Sequence, residues 1–154
     1  MSRLAALAII DESWGEALVE FFMVNYLWIG LGGALGSVAR FWFSGIVARQ
    51  FGETFPLGTL LVNVSGSFAI GFFATITDTE GRWLVSSAFR QFFMAGVCGG
   101  YTTFSSFSLQ TLNLAQDGEW LKAGANVLGS VACCLIAVWL GHLAALSINP
   151  TKGH

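Results

Sequence analysis

Four long stretches of this chain carry no Asp, Glu, Lys or Arg: Phe21 to Ala39, Thr54 to Thr77, Gln91 to Gln116, and Ala123 to Thr151. About 20 apolar residues cross the hydrocarbon core of a bilayer, so each stretch is long enough for one spanning helix. Charged residues make up only 10% of the chain, against roughly 25% in soluble domains. The pattern therefore predicts an all-α membrane protein with four transmembrane helices, over Val24 to Phe43, Leu57 to Ile76, Phe92 to Leu112 and Leu121 to Leu146. The turns between them, near Arg49 to Pro56, Asp78 to Arg82 and Asp117 to Glu119, are too short to hold a soluble domain. Residues 23–147 are read as one four-helix transmembrane domain, residues 1–22 as an N-terminal extension, and residues 148–154 as a tail.

Four spans put both termini on one side of the membrane. That side would carry Arg3, Arg82, Arg90 and Lys152, and the other Arg49 and Lys122, with Arg40 if its side chain reaches the interface. Positive charge orients membrane proteins, and so even a split permits insertion both ways and an antiparallel dimer. The net charge of −2 argues for neither nucleic acid nor an acidic partner. The start resembles a signal peptide for a few residues, but the apolar stretch ends at Asp11-Glu12 without a small-residue cleavage site. Residues 11–20 fit an acidic amphipathic turn at the interface or a disordered segment, and Met23 is a second possible start.

The third stretch is interrupted near its middle by Gly99-Gly100-Tyr101-Thr102-Thr103-Phe104-Ser105-Ser106-Phe107-Ser108. Backbone that leaves helical geometry at bilayer depth survives only where protein buries it or where it lines a pathway. This segment has hydroxyls, two phenylalanines three apart and no charge, which is a chemistry for coordinating ions without counter-charge. The third helix is therefore expected to break at Gly99 to Thr103. Thr59, Asn63 and Ser67 form a polar stripe on span two, and Asn126 with Ser130 forms a second on span four. Each stripe fits interhelical bonding or a shared polar route. Arg40, at the end of span one, fits either snorkelling or an anion-attracting position at a pathway mouth. Gly32, Gly33 and Gly36 have the spacing for close helix packing. Cys98, Cys133 and Cys134 lack zinc-site spacing and are read as packing residues. His142 is read as an interfacial residue turned away from the Asn126 and Ser130 face.

Three segments together, Gly32-Gly33-Ala34-Leu35-Gly36-Ser37-Val38-Ala39-Arg40-Phe41, Gly58-Thr59-Leu60-Leu61-Val62-Asn63-Val64-Ser65-Gly66 and the Gly99 to Ser108 run, resemble the signature segments of the Fluc (CrcB-type) fluoride channels. The likeness runs from about Met23 to the end of span four and leaves the first 22 residues outside. It implies an antiparallel, dual-topology homodimer in the bacterial inner membrane, with two fluoride pores at the subunit interface. Residue by residue, Phe104 and Phe107 match the family's pore aromatics, Asn63 its pore asparagine, Ser130 its span-four serine and Arg40 its span-one arginine. Gly99 and Thr102 match positions whose carbonyls hold a structural sodium ion.

Elementary chemistry agrees with that assignment. Fluoride is small and strongly hydrated, and a pore must replace its water with close donors such as the Asn63 amide, the Ser106 and Ser130 hydroxyls, and the positive ring edges of Phe104 and Phe107. Asn126 joins the same polar route. Carbonyl oxygens suit a hard cation such as sodium. A small exporter of cations or drugs, the alternative, would need a carboxylate within the membrane, and every Asp and Glu falls in a terminus or loop. A non-transporting assembly protein leaves the polar stripes without a use. An enzyme is disfavoured because clustered His, Cys or carboxylates are lacking.

Overall fold

The computed structural model describes residues 3–78, 81 and 83–148, with side chains from residue 22 onward. Every regular element among them is helical. Helix α1 (Arg3–Phe51) is longer than the span expected from apolar composition, since neither proline nor a left-handed glycine interrupts it until Gly52. There φ reaches 78°, and the Gly52 N–H bonds the Ala48 carbonyl at 2.9 Å, an αL stop that glycine adopts without Cβ strain. Helix α2 (Leu57–Ile76) begins directly after Pro56 and has the bounds expected of span two. Its last carbonyls are covered by Arg90, which donates from Nη1 to Thr77 O at 2.6 Å. A cation there also complements the negative end of the helix.

The third crossing is assembled from pieces. Helix α3 (Ser87–Gln91) is capped by the Ser86 hydroxyl, which accepts from Phe89 N–H at 3.3 Å. A π-helical stretch (Phe92–Cys98) and the short α4 (Gly99–Tyr101) follow it. Only Thr102 and Thr103 are extended before α5 (Phe104–Gln116) resumes. A Schellman stop ends α5, with Glu119 N–H on Leu114 O at 2.8 Å and Gly118 N–H on Ala115 O at 3.1 Å. Helix α6 (Trp120–Ile148) completes the chain. Three segments, Phe22–Phe51, Leu57–Ile76 and Trp120–Ile148, are long and apolar enough to cross a membrane unbroken, and the fourth crossing is the interrupted one.

The interruption is narrower than the sequence predicts. Gly99 has ordinary helical angles, so the glycines do not unwind the chain. Their use is packing: a Cβ on Gly36 would overlap the Val97 carbonyl, and one on Gly100 would overlap the backbone of Gly33. Lipid tails are as apolar as the side chains, so close backbone approach supplies much of the association between helices in a bilayer. Glycine at these positions lets α1 lie directly on the first half of the third crossing. Helix α6 lies along α2 in the same way, with Gly141 on the Phe68 carbonyl and Gly71 on the Val138 carbonyl. Large apolar side chains such as Leu35, Phe41, Leu128 and Leu135 remain on the outside, as a lipid-facing surface requires.

His142 does not simply face the interface. Its Nδ1 lies 2.8 Å from Thr75 Oγ1, and the Thr75 hydroxyl is also 2.9 Å from Gly71 O. The Thr75 and His142 pair ties α6 to the end of α2.

Candidate functional site

The site grows from the two extended residues. Leaving the helix at Thr102 and Thr103 frees main-chain groups at membrane depth, where each needs a partner. Thr102 keeps its N–H on Cys98 O at 2.9 Å and adds its hydroxyl to the same carbonyl at 2.9 Å. Thr103 is held across the bundle by Asn63 of α2. Asn63 Nδ2 donates to Thr103 O at 3.0 Å, and Asn63 Oδ1 accepts from Thr103 N–H at 2.8 Å. The Thr103 side chain then caps α5, accepting from Ser106 N–H at 3.2 Å, the role expected of a threonine before a helix.

On one side of this clamp lies a mostly apolar cavity of about 320 Å³. It brings together six of the residues expected in a site: Asn63, Gly99, Thr102, Phe104, Phe107 and Ser130. The Phe104 and Phe107 rings are 5.2 Å apart, tilted by 48°. They differ in exposure: Phe107 is 8% exposed within the chain and Phe104 77%. Phe104 thus presents most of its ring away from its own subunit.

On the other side is a larger, more polar vestibule of about 1080 Å³, which includes Arg40, Ser106, Gln110 and Lys122. Arg40 and Ser106 therefore stand apart from the first cavity, and Thr103 lines both spaces. The Arg40 guanidinium reaches inward, with Nη1 3.5 Å from Thr102 O, a long contact at the limit of hydrogen bonding. Lys122 is held by Glu119 at 3.1 Å.

Asn126 lines neither space. It is 2% exposed and forms the middle of a ladder between α6 and α5. Ser130 donates to Asn126 Oδ1 at 3.4 Å, Asn126 Nδ2 donates to Thr111 Oγ1 at 2.8 Å, and Thr111 donates to Phe107 O at 2.8 Å. Ser130 and the backbone of Phe107 are thereby fixed relative to each other.

A hard cation fits the Gly99 position on one structural ground. An unbroken helix would send the Thr103 N–H to the Gly99 carbonyl, and here Asn63 holds that N–H instead. Gly99 is exposed within the chain, and only the Met94 carbonyl comes within 4 Å of a Cβ placed there. Its carbonyl loses its helical donor at an open surface, and carbonyl oxygen is a suitable ligand for such an ion.

Two residues of this arrangement escaped the sequence reading. Thr103 could be found from its place three before Ser106 at a helix start, the spacing of an N-cap. Thr111 shares the Phe107 face at i+4, but nothing in the sequence marks it as the partner of Asn126.

The family model described as CrcB-like protein, Camphor Resistance (CrcB), matches residues 27–142. A protein of Opitutus terrae called fluoride-specific ion channel FluC is 66% identical over 131 residues, covering 85% of this chain and 99% of its own. Relatives of the same name from Methylocella silvestris and Paramagnetospirillum magneticum are 59% and 60% identical, covering 84% and 82% of this chain and 99% of each of their own. By the extent of the family match and the identity of these relatives, this chain is an integral membrane protein belonging to the CrcB-like family.

Proposed function

We propose that the protein is a passive, fluoride-selective ion channel of the bacterial inner membrane, which lowers cytoplasmic fluoride and so protects the cell from its toxicity. The observation that carries this reading is the 66% identity to a channel called fluoride-specific, over almost all of that channel's length. The two-cavity arrangement around Asn63 and Thr103 supports it.

Arg40 gives the vestibule a positive charge, which raises the local concentration of anions without holding one in the narrow part. Ser106 stands at the vestibule end, beside the Thr103 cap. Asn63 uses one Nδ2–H on the Thr103 carbonyl and has a second, which would face a dehydrating anion. Deeper in, the Ser130 hydroxyl, positioned by Asn126, and the positive ring edges of Phe104 and Phe107 replace lost water. These contacts are weak and serial, and an ion that must also leave requires that. The reading makes the protein a channel and not an enzyme.

The functional unit in this proposal is an antiparallel homodimer. The exposure of Phe104 and of Gly99 within one subunit supports it, since both then meet the partner. The carbonyls of Gly99 and Thr102 from the two subunits would hold a structural sodium ion, which supplies positive charge that binds the two interrupted helices together.

Purified protein in liposomes tests the function. Fluoride efflux should follow the gradient without a proton requirement and greatly exceed chloride efflux. Equal chloride flux, or proton-coupled export of a cation, overturns the reading.

A further inference from the structure

Two of the three cysteines and one of the three methionines of this chain, Cys98, Cys134 and Met94, line the one 320 Å³ cavity beside Phe104 and Phe107. Burial of sulfur side chains in a membrane helix needs only packing. Three of them, two from the π-helical stretch and one from α6, border the same open space. Cys134 is four residues beyond Ser130, on the face that α6 buries with Asn126, Ser130, Ala137 and Gly141. Cys133, one residue earlier, is exposed on the outer surface of the chain. All three cysteines are free, so no disulfide removes a thiol.

We propose that Cys134 and Cys98, with Met94 as a weaker third donor, form a site for a soft metal cation in the wall of this cavity. Thiolate and thioether sulfur select soft ions over the hard cations that carbonyl oxygens favour. The site is therefore chemically distinct from the carbonyls of Gly99 and Thr102. Binding follows ordinary thiol chemistry: the metal ion takes the sulfur lone pair, the S–H bond breaks, and the proton leaves to water with no electron transferred. Ile70, Val131 and the two phenyl rings give part of the remaining wall an apolar character. A bound metal would take up part of the cavity that Ser130 and the phenylalanine pair also line. This consequence for flux rests on the fluoride-channel reading, and the binding itself does not.

The test uses Ag+ in chloride-free nitrate medium, on full-length protein in liposomes and on the same protein in detergent. Because the exposed Cys133 thiol binds silver by itself, retention is read in a Cys133→Ser background: silver held after desalting should be stoichiometric with subunits there, and should fall at least tenfold when Cys134→Ser is added, or Cys134→Ala where serine disturbs the fold. Fluoride efflux, expressed as the ratio with and without silver so that basal differences cancel, should drop at least tenfold in the parent and in Cys133→Ser. The half-blocking concentration should rise at least tenfold in Cys134→Ser and in Cys98→Ser. Block that survives in Cys134→Ser, retention that survives when Cys133→Ser and Cys134→Ser are combined, or the loss of either effect in Cys133→Ser alone, overturns the site. Silver held at Cys134 with efflux undiminished overturns its place on the route. If the parent passes no fluoride at all, the functional reading fails, while silver retention compared between Cys133→Ser and the Cys133→Ser, Cys134→Ser double variant still decides the site.

Discussion

Asn63 grips the main chain of Thr103 at both ends, giving a bond to its carbonyl at 3.0 Å and taking one from its N–H at 2.8 Å. One side chain of α2 thus satisfies the backbone at the point where the third crossing leaves helical geometry. Asn63 is both a structural clamp and a member of the candidate route, and its substitutions should separate the two roles.

Asn63→Leu removes both bonds and leaves two backbone groups without partners at membrane depth, at about 1–3 kcal/mol each. Thermal unfolding in detergent should show a marked loss of stability along with loss of efflux. Asn63→Asp keeps the acceptor for the Thr103 N–H but loses the donor and adds a negative charge to an anion route. It should be more stable than Asn63→Leu and yet conduct no better. Equal stability of Asn63→Leu and the parent would reject the clamp.

The phenylalanines should behave alike in flux and differently in stability. Replacing either ring with Ile keeps apolar volume and removes the positive ring edge, so fluoride efflux should fall by at least tenfold in both Phe104→Ile and Phe107→Ile. Phe107 is 8% exposed and Phe104 77%, so only Phe107→Ile should alter stability within the subunit, by up to about 1.5 kcal/mol. Efflux and unfolding on the same preparations check both statements. Undiminished efflux in the two variants would return the pair to packing alone.

The four crossings were legible because charge is sparse and its positions leave membrane-length windows; α2 has the bounds that the window predicts. The place of the interruption was legible to within a few residues from glycine and hydroxyl content. Its cause was not. Gly36 packs closely, as its spacing predicts, but Gly100, which falls in the expected break, stays helical and acts by letting α1 approach the third crossing, a relation between residues far apart in the chain. The bonds from Asn63 to Thr103 and from Asn126 to Thr111 are likewise contacts between helices, and helical periodicity gives a residue's face without its partner. Arg90, counted in sequence only as a positive charge, covers the end of α2.

Glycine substitutions should sort by what each position faces. Gly36→Ala drives a Cβ into the Val97 carbonyl and should cost about 1–3 kcal/mol as an overpacking change, with poor recovery of folded protein. Gly99→Ala has room within its own subunit and should fold normally as a monomer unit, yet weaken dimerisation if its carbonyl shares a cation with the partner. Replacing sodium with N-methylglucamine should weaken the parent dimer in the same direction, because a ligand bound only by the assembled state stabilises it by mass action. Size-exclusion profiles in the two salts check this, and profiles that do not change reject the sodium proposal.

The proposed antiparallel dimer makes a demand on insertion itself. Lys and Arg are divided four against three between the two faces when Arg40 is counted with Arg49 and Lys122, and so small a bias should not fix orientation. Both orientations should therefore occur in one membrane. Glu53 lies exposed in the turn between α1 and α2, and acidic residues contribute little to orientation, so Glu53→Cys offers a label that leaves the bias intact. In a background with Cys98, Cys133 and Cys134 replaced, an impermeant maleimide applied from outside sealed vesicles should label about half the Glu53→Cys sites, and permeabilisation should expose the rest. Labelling wholly from one side would mean a single orientation, and a dimer built from it would have to be parallel. In that arrangement a two-fold axis lying in the membrane plane is excluded, and with it the shared cation between two Gly99 carbonyls at one depth.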